Sequence, residues 1–231
     1  MGHTVLVTGG AGYIGSVVSE RLLELGHRVV VLDNLVTGHK EALHPDATFL
    51  LGDVGDRRCL DLLFENYAVD AVIHMAAKML IPESVGDPAP FYATNLVGGI
   101  TLADAMVAHG VKRIVFSSSA AVYGEPERLP LDEKNPVQPI SAYGETKLSF
   151  ENALRWYANA YGMQATALRY FNAAGASENY GEAHVPETHI LPCALGAAVS
   201  GGVTQINGSD YDTPDGTCIR DFVHVIDLAE A

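Results

Sequence analysis

The chain has 231 residues, of which 48% are hydrophobic, and it carries 14 basic against 28 acidic side chains for a formal net charge of −14. That length and apolar content bury one sizeable core, or one core plus a small lobe, and exclude a disordered chain. The acidity provides no basic footprint for nucleic acid, so no nucleic-acid partner is expected, and its plain consequence is solubility. An anionic ligand would then depend on backbone N–H groups and a few well-placed cations.

Met1-Gly2-His3 leads directly into a first strand at 5–7, with no charged and apolar leader, and Leu6 breaks the myristoylation pattern. A helix is predicted over 17–25, then strands at 29–32 and 48–51. A helix at 60–66 leads to a strand at 71–74, and another at 92–109 leads to a strand at 113–116. A helix at 142–161 precedes a strand at 164–170. Continuous apolar strands alternating with helices point to a doubly wound, Rossmann-type parallel α/β sheet covered on both faces. This cofactor-binding domain is expected to span 1–172.

From 173 onward Gly, Ala, Ser and Pro become frequent and the alternation stops, so 173–231 is read as mainly a substrate lobe. Asp227 is read as the N-cap of a single closing turn. No apolar run is judged long enough to span a bilayer, so no membrane partner is expected. Cys59, Cys193 and Cys218 are odd in number and form no C-x-x-C. They suggest neither a metal site nor a disulfide framework, and are expected as buried thiols of a reducing, cytoplasmic protein.

Three stretches carry chemistry. After the first strand come Gly9, Gly12 and Gly15, which permit a tight turn and close approach of backbone to a pyrophosphate. The helix that follows offers free N–H groups and the positive end of its dipole. Asp33 ends the second strand, where a carboxylate accepts from ribose hydroxyls and repels a 2′-phosphate, which favours NAD over NADP. Asp53, after the next strand, is a candidate for the adenine amino group. Tyr143 and Lys147 share one helical face at i and i+4. A phenol is a poor base at neutral pH, but an ammonium one turn away and an oxidised nicotinamide both favour the phenolate. Ser119, where an apolar strand ends in hydroxyls, can bridge a substrate oxygen and Tyr143, or be only a turn former.

With these motifs the chain resembles the extended short-chain dehydrogenase/reductase family, and within it the UDP-hexose 4-epimerases over essentially its whole length. The likeness rests on TGGAGYIG at 8–15, SSSAAVYG at 117–124 and YGETK at 143–147. It also rests on DNLVTG at 33–38, RYFNAAGA at 169–176 and DGTCIRDFVHV at 215–225. The resemblance implies a catalytic triad of Ser119, Tyr143 and Lys147. It implies cofactor contacts from Gly9, Gly12, Tyr13, Ile14 and Gly15, and from Asp33, Asn34, Thr37 and Gly38. Further contacts are implied for Asp53, Val54, Met75, Ala76, Ala77, Asn95, Ser117 and Tyr170, besides Tyr143 and Lys147. Ser119, Tyr143, Asn172 and Arg220 would bind the UDP-sugar, with Arg220 and Asn172 on its diphosphate; Arg220 paired structurally with Asp221 is the other reading.

The reaction so implied is removal of the 4-hydroxyl proton and of hydride, rotation of the 4-keto sugar about an anchored UDP, and return of hydride to the opposite face. Ala120 and Ala121 stand where sugar-nucleotide dehydratases carry an acid pair, so chemistry at C4 alone is favoured. The loop 75–84 departs from the pattern, with Met79 where some members have Lys and Pro82 in place of a common Gly. Members of the family extend well past a position like Ala231, so the substrate lobe is expected to be incomplete. A homodimer through the helices near 92–109 and 142–161 is also implied. UDP-glucuronate or UDP-N-acetylhexosamines as substrates, a dehydrogenase that releases NADH, and a non-catalytic NAD-binding module stay open as alternatives. The module has no use for an intact Tyr143, Lys147 and Ser119.

Overall fold

A computed structural model describes residues 2–231. Six strands form one parallel sheet in the order β3-β2-β1-β4-β5-β6. They are β1 (Thr4–Thr8), β2 (Arg28–Asp33), β3 (Thr48–Leu51), β4 (Ala71–His74), β5 (Arg113–Ser117) and β6 (Gln164–Leu168). The strand order reverses between β1 and β4, which opens a crevice at their carboxyl ends, where such folds bind ligands.

The run Val29-Val30-Val31-Leu32 shows why the inner strands are continuously apolar. Val29 and Val31 join Val5 and Val7 in a cluster on one face, with Leu22 and Leu23 of α1 (Tyr13–Glu24) packed against it. Val30 and Leu32 face the other way, into the larger core of Leu6, Val72 and Phe116. That core is sealed by Leu60 and Leu63 of α2 (Arg57–Asn66) and by Leu102 and Met106 of α5 (Gly99–Ala108). Phe150 and Leu154 of α6 (Ala142–Tyr161) complete it. The expectation of two covered faces fails at β6, where residues 164–167 are exposed. That strand also ends at Leu168, so Arg169 and Tyr170 leave the sheet and turn toward the crevice.

Helix boundaries differ from expectation for local reasons. α1 begins at Tyr13, because the glycine turn delivers the chain directly into helical geometry. α2 begins at Arg57, because the Asp56 carboxylate caps it, accepting from Arg58 N at 2.9 Å and Cys59 N at 3.2 Å. The segment predicted as one helix over 92–109 is preceded by α3 (Ile81–Gly86) and α4 (Ala89–Phe91). It opens as a π-helical turn, Tyr92–Gly98, before α5 begins. The whole run Ala89–Ala108 is long and apolar enough to cross a membrane, which corrects the sequence reading. Here it serves as a core helix, with Leu102, Ala103, Ala105 and Met106 fully buried. α6 starts where the Ser141 hydroxyl accepts from Gly144 N at 3.1 Å and stops at Gly162, whose φ of 68° breaks the helix.

Past the main sheet, β7 (Asn172–Ala174) pairs in parallel with β8 (Phe222–His224). Between them lies α7 (Ile190–Ser200), which sequence patterning missed because its apolar residues, rich in small side chains, show no single face. α8 (Val225–Glu230) is capped by His224, whose ring accepts from Ile226 N at 3.3 Å, and not by Asp227. It lies against α1, with Arg21 Nη2 3.1 Å from Glu230 Oε1. The three cysteines are half-buried, not fully buried as expected.

Candidate active site and dinucleotide crevice

The glycine turn is built for a close neighbour. Gly9 has φ of 73°, and a Cβ there would meet the Ala76 backbone nitrogen at 2.6 Å. A Cβ on Gly15 would meet the Gly9 carbonyl oxygen at 2.2 Å. Gly12 precedes α1 without a side-chain cap, and the first helical bond runs from Ser16 N to Gly12 O at 2.9 Å. The N–H groups of Tyr13, Ile14 and Gly15 therefore lack helical acceptors and face the turn, a fit for a pyrophosphate. The Tyr13 side chain goes elsewhere, donating to the Gly175 carbonyl at 2.6 Å, and burial pushes its phenol up to about 12. Met75, Ala76 and Ala77 leave β4 beside this turn, with Met75 N donating to Thr8 O at 3.0 Å.

Two carboxylates, Asp33 and Asp53, follow at the carboxyl ends of β2 and β3. Asp33 Oδ2 accepts from Ala11 N at 3.0 Å and Oδ1 from Leu35 N at 2.8 Å, which aims the group without exhausting its lone pairs. Gly38 crosses close by, since a Cβ there would lie 2.9 Å from Asp33 Oδ1. Asn34 Nδ2 donates to Asp53 Oδ2 at 2.7 Å, and Gly55 N donates to Oδ1 at 2.7 Å. Thr37 lines a cavity of about 330 Å³ with Gly12, Tyr13, His39, Tyr180 and His184. The Val54 side chain is buried in the core.

Tyr143, Lys147 and Ser119 meet at the carboxyl end of β5. Lys147 is fully buried and donates from Nζ to the Ser117 carbonyl at 2.7 Å. Its ammonium lies 5.0 Å from the Phe116 ring centre and 5.7 Å from that of Tyr143. Burial brings Lys147 down to about 7. Burial pushes the Tyr143 phenol up, and the Ser119 hydroxyl pulls it partly back. Burial is the larger influence, so the chain's own groups hold the phenol above its ordinary value, while the Lys147 ammonium is turned toward the Ser117 carbonyl. Ser119 accepts from Ala121 N at 3.1 Å, which starts the short turn Ala120–Tyr123. Ser117 Oγ shares a hydrogen bond with the Tyr170 hydroxyl, whose burial pushes it up to about 12. Tyr170 also lies 3.9 Å from Met75 Sδ, so the chain leaving β4, β5 and β6 converges on one spot.

Asn95 sits in the π-helical turn and is a brace. Its Oδ1 accepts from Lys78 N at 2.8 Å, and its Nδ2 donates to Lys78 O at 3.0 Å and Thr146 Oγ1 at 3.1 Å. This ties the loop after β4 to the first turns of α6, which carry Tyr143 and Lys147. Asn172 Nδ2 donates to the Asp221 carbonyl at 2.7 Å, across the β7–β8 pair. Arg220 is exposed and donates only to Ile219 O at 3.1 Å among the described residues, with no ion pair to Asp221.

Three features escaped the sequence reading. His74, buried at the end of β4, receives or donates one hydrogen bond with Thr8 Oγ1 at 2.7 Å. It stacks on Phe116 and meets Phe150 edge-on, and burial together with Lys147 brings it down to about 3. Its only signal was a polar residue ending an apolar strand. Arg169 forks onto Glu151 at 2.5 to 3.1 Å and reaches Tyr123 at 3.1 Å, while Ser118 also donates to Glu151. This pins the residue before Tyr170. Ser84, fully buried, accepts from Tyr143 N at 3.2 Å and so holds the first turn of α6.

A profile of the NAD dependent epimerase/dehydratase family matches residues 5–231. The chain is 51% identical over 230 residues to a UDP-glucose 4-epimerase of Halalkalibacterium halodurans, covering 98% of this chain and 69% of that one. It superposes on the UDP-glucose 4-epimerase of Brucella ovis in complex with NAD with a TM-score of 0.94 at 48% identity, covering 99% of this chain and 71% of that one. The enzyme of Bifidobacterium longum in complex with NAD+ and UDP gives 0.92 at 38% identity, covering 98% and 72%.

Proposed function

Since the chain belongs to the NAD dependent epimerase/dehydratase family, we propose that it epimerises C4 of a UDP-hexose, interconverting UDP-glucose and UDP-galactose with tightly held NAD. The observation that carries the reading is the meeting of Tyr143, buried Lys147 and Ser119 at the end of β5, beside the glycine turn.

Bound NAD would supply a hydride acceptor and donor for C4 of the sugar. The residues supply the rest. The uncapped N–H groups of Tyr13, Ile14 and Gly15 hold the pyrophosphate, and Asp33 the adenosine ribose. Asp53, with Asn34, borders the adenine end. Tyr143 takes the 4-hydroxyl proton and returns it on the other face, with Ser119 fixing the sugar oxygen. Lys147, in its charged form, steadies the phenolate through short-range field, and a cationic nicotinamide adds to it. Ala120 and Ala121 bring methyl groups where dehydration would need an acid and a base. Arg220, unpaired with any acid among the described residues, and Asn172 anchor the diphosphate while the ketosugar turns.

A cytoplasmic homodimer belongs to the same reading. It is supported by the exposed Val97 and Trp156 on the helical faces expected to pair. Incubation of the purified chain with UDP-galactose and no added cofactor tests the proposal. Formation of UDP-glucose without net NADH supports it. Accumulation of NADH points to a dehydrogenase, and conversion only of UDP-N-acetylgalactosamine or UDP-galacturonate relocates the substrate. The chain spans about 70% of its relatives' length, so the assay reads this segment's own competence.

A further inference from the structure

Between β7 and α7 the chain crosses the dinucleotide end of the crevice. It is fastened there by Tyr13 to Gly175, by Asn179 Nδ2 to Glu20 at 2.6 Å and by His39 to the Ala183 carbonyl at 2.7 Å. Within this crossing, Glu182, His184, Glu187 and His189 turn one ligand atom each toward a common point. The four atoms all lie within 4.8 Å of one another. His184 Nδ1 is 3.0 Å from Glu182 Oε1, and His189 Nδ1 is 2.6 Å from that same oxygen and 3.0 Å from Glu187 Oε1.

Two imidazoles and two carboxylates are a nitrogen–oxygen donor set for a borderline divalent metal. Two carboxylate charges cancel those of one such ion and leave a neutral site in a half-buried spot, the Glu182 side chain being 9% and that of His189 41% exposed. Tetrahedral zinc holds its ligand atoms about 3.3 Å apart, so small rotations complete the geometry. The site is also pre-set. Glu187 Oε1 accepts from Thr188 N and His189 N, both at 2.7 Å, and Pro186 restricts the backbone between the two halves.

We infer that Glu182, His184, Glu187 and His189 form a binding site for a zinc-class divalent cation. Such an ion ties the crossing segment to itself beside Tyr13, whose ring meets His184 edge-on at 6.4 Å. It fixes the span that closes over the dinucleotide, and in that role it rests on the NAD reading; the binding itself does not.

The test uses the tag-free, NAD-loaded full chain, titrated with zinc chloride by calorimetry and assayed by elemental analysis after dialysis. The expected result is about one zinc per chain, with affinity reduced more than about 100-fold in the His184→Gln/His189→Gln variant. X-ray absorption at the zinc edge is expected to show nitrogen and oxygen ligands only. Wild-type protein that retains no zinc overturns the inference. So does binding unchanged in the double variant, which would place the ion elsewhere, for example at the stacked pair of exposed His3 and half-buried His27. A sulfur ligand in the spectrum overturns the donor set. Glu187→Gln, at a less buried position, is the second variant, and retained NAD with unchanged circular dichroism certifies that each variant is folded.

Discussion

Acidification isolates one buried group beside Lys147. His74 has no access to water and a single hydrogen bond, to Thr8 Oγ1, and it lies against Phe116 and Phe150. Burial first, and then the charge of Lys147, bring it from its ordinary 6.5 to about 3. In the unfolded chain the ring takes a proton as pH falls through 6.5, while in the folded chain it stays neutral. The unfolded state therefore binds more protons between pH 6.5 and 3, and stability falls as pH drops through that window. Each unit is worth about 1.4 kcal/mol, so the full effect approaches about 5 kcal/mol, with about 2 kcal/mol lost by pH 5. His74→Gln keeps a partner for Thr8 and does not titrate. Urea unfolding of the NAD-saturated proteins, followed by circular dichroism from pH 7.5 to 5, gives the two stability curves. The gap between wild type and variant is expected to narrow by about 2 kcal/mol on going from pH 6.5 to 5, whatever its size at neutral pH. A gap that stays constant refutes the assignment of His74 as a buried neutral ring.

Removing the phenol oxygen in Tyr143→Phe should lower turnover at least about 100-fold while NAD stays bound, as read by chromatography of the denatured protein; undiminished epimerisation would take Tyr143 out of the reaction. Gly15→Ala puts a methyl 2.2 Å from the Gly9 carbonyl, so the purified variant should contain little or no NAD. Arg220→Ala should raise KM for the UDP-sugar about tenfold or more and change kcat less, because the arginine holds the part of the ligand that does not react. A kcat loss at unchanged KM would contradict that anchor role.

The parts legible in the sequence are those set by periodicity and by short-range spacing. Continuous apolar runs gave β2 and β4 to the residue or nearly so, because a strand covered on both faces tolerates only such side chains. The i, i+4 spacing placed Tyr143 and Lys147 on one face of α6. What stayed hidden depends on contacts distant in sequence. Nothing local announces that Asn95 closes on Lys78 and Thr146, or that Glu151 and Arg169 pin the chain before Tyr170. Spacing gives the proximity of Tyr143 to Lys147, whereas the burial that raises the phenol and the Ser117 carbonyl that takes the Lys147 ammonium depend on contacts distant in sequence. α7 escaped because a helix rich in small apolar residues leaves no periodic stripe.

The π-helical turn at Tyr92–Gly98 holds one residue more than an α-helix would fit into the same length. That surplus residue rotates everything before it relative to α5, whose Gly99 is already pressed against the Phe150 ring, where a Cβ would sit 2.9 Å away. A protein engineer who deleted one residue here would regularise the helix and improve its backbone hydrogen bonds. The same deletion would swing Asn95 by about 100° about the helix axis, away from Lys78 and Thr146. The irregularity thus works as a phase-shifter, letting one continuous helical rod serve two masters: a packed core at one end and an aligned crevice wall at the other.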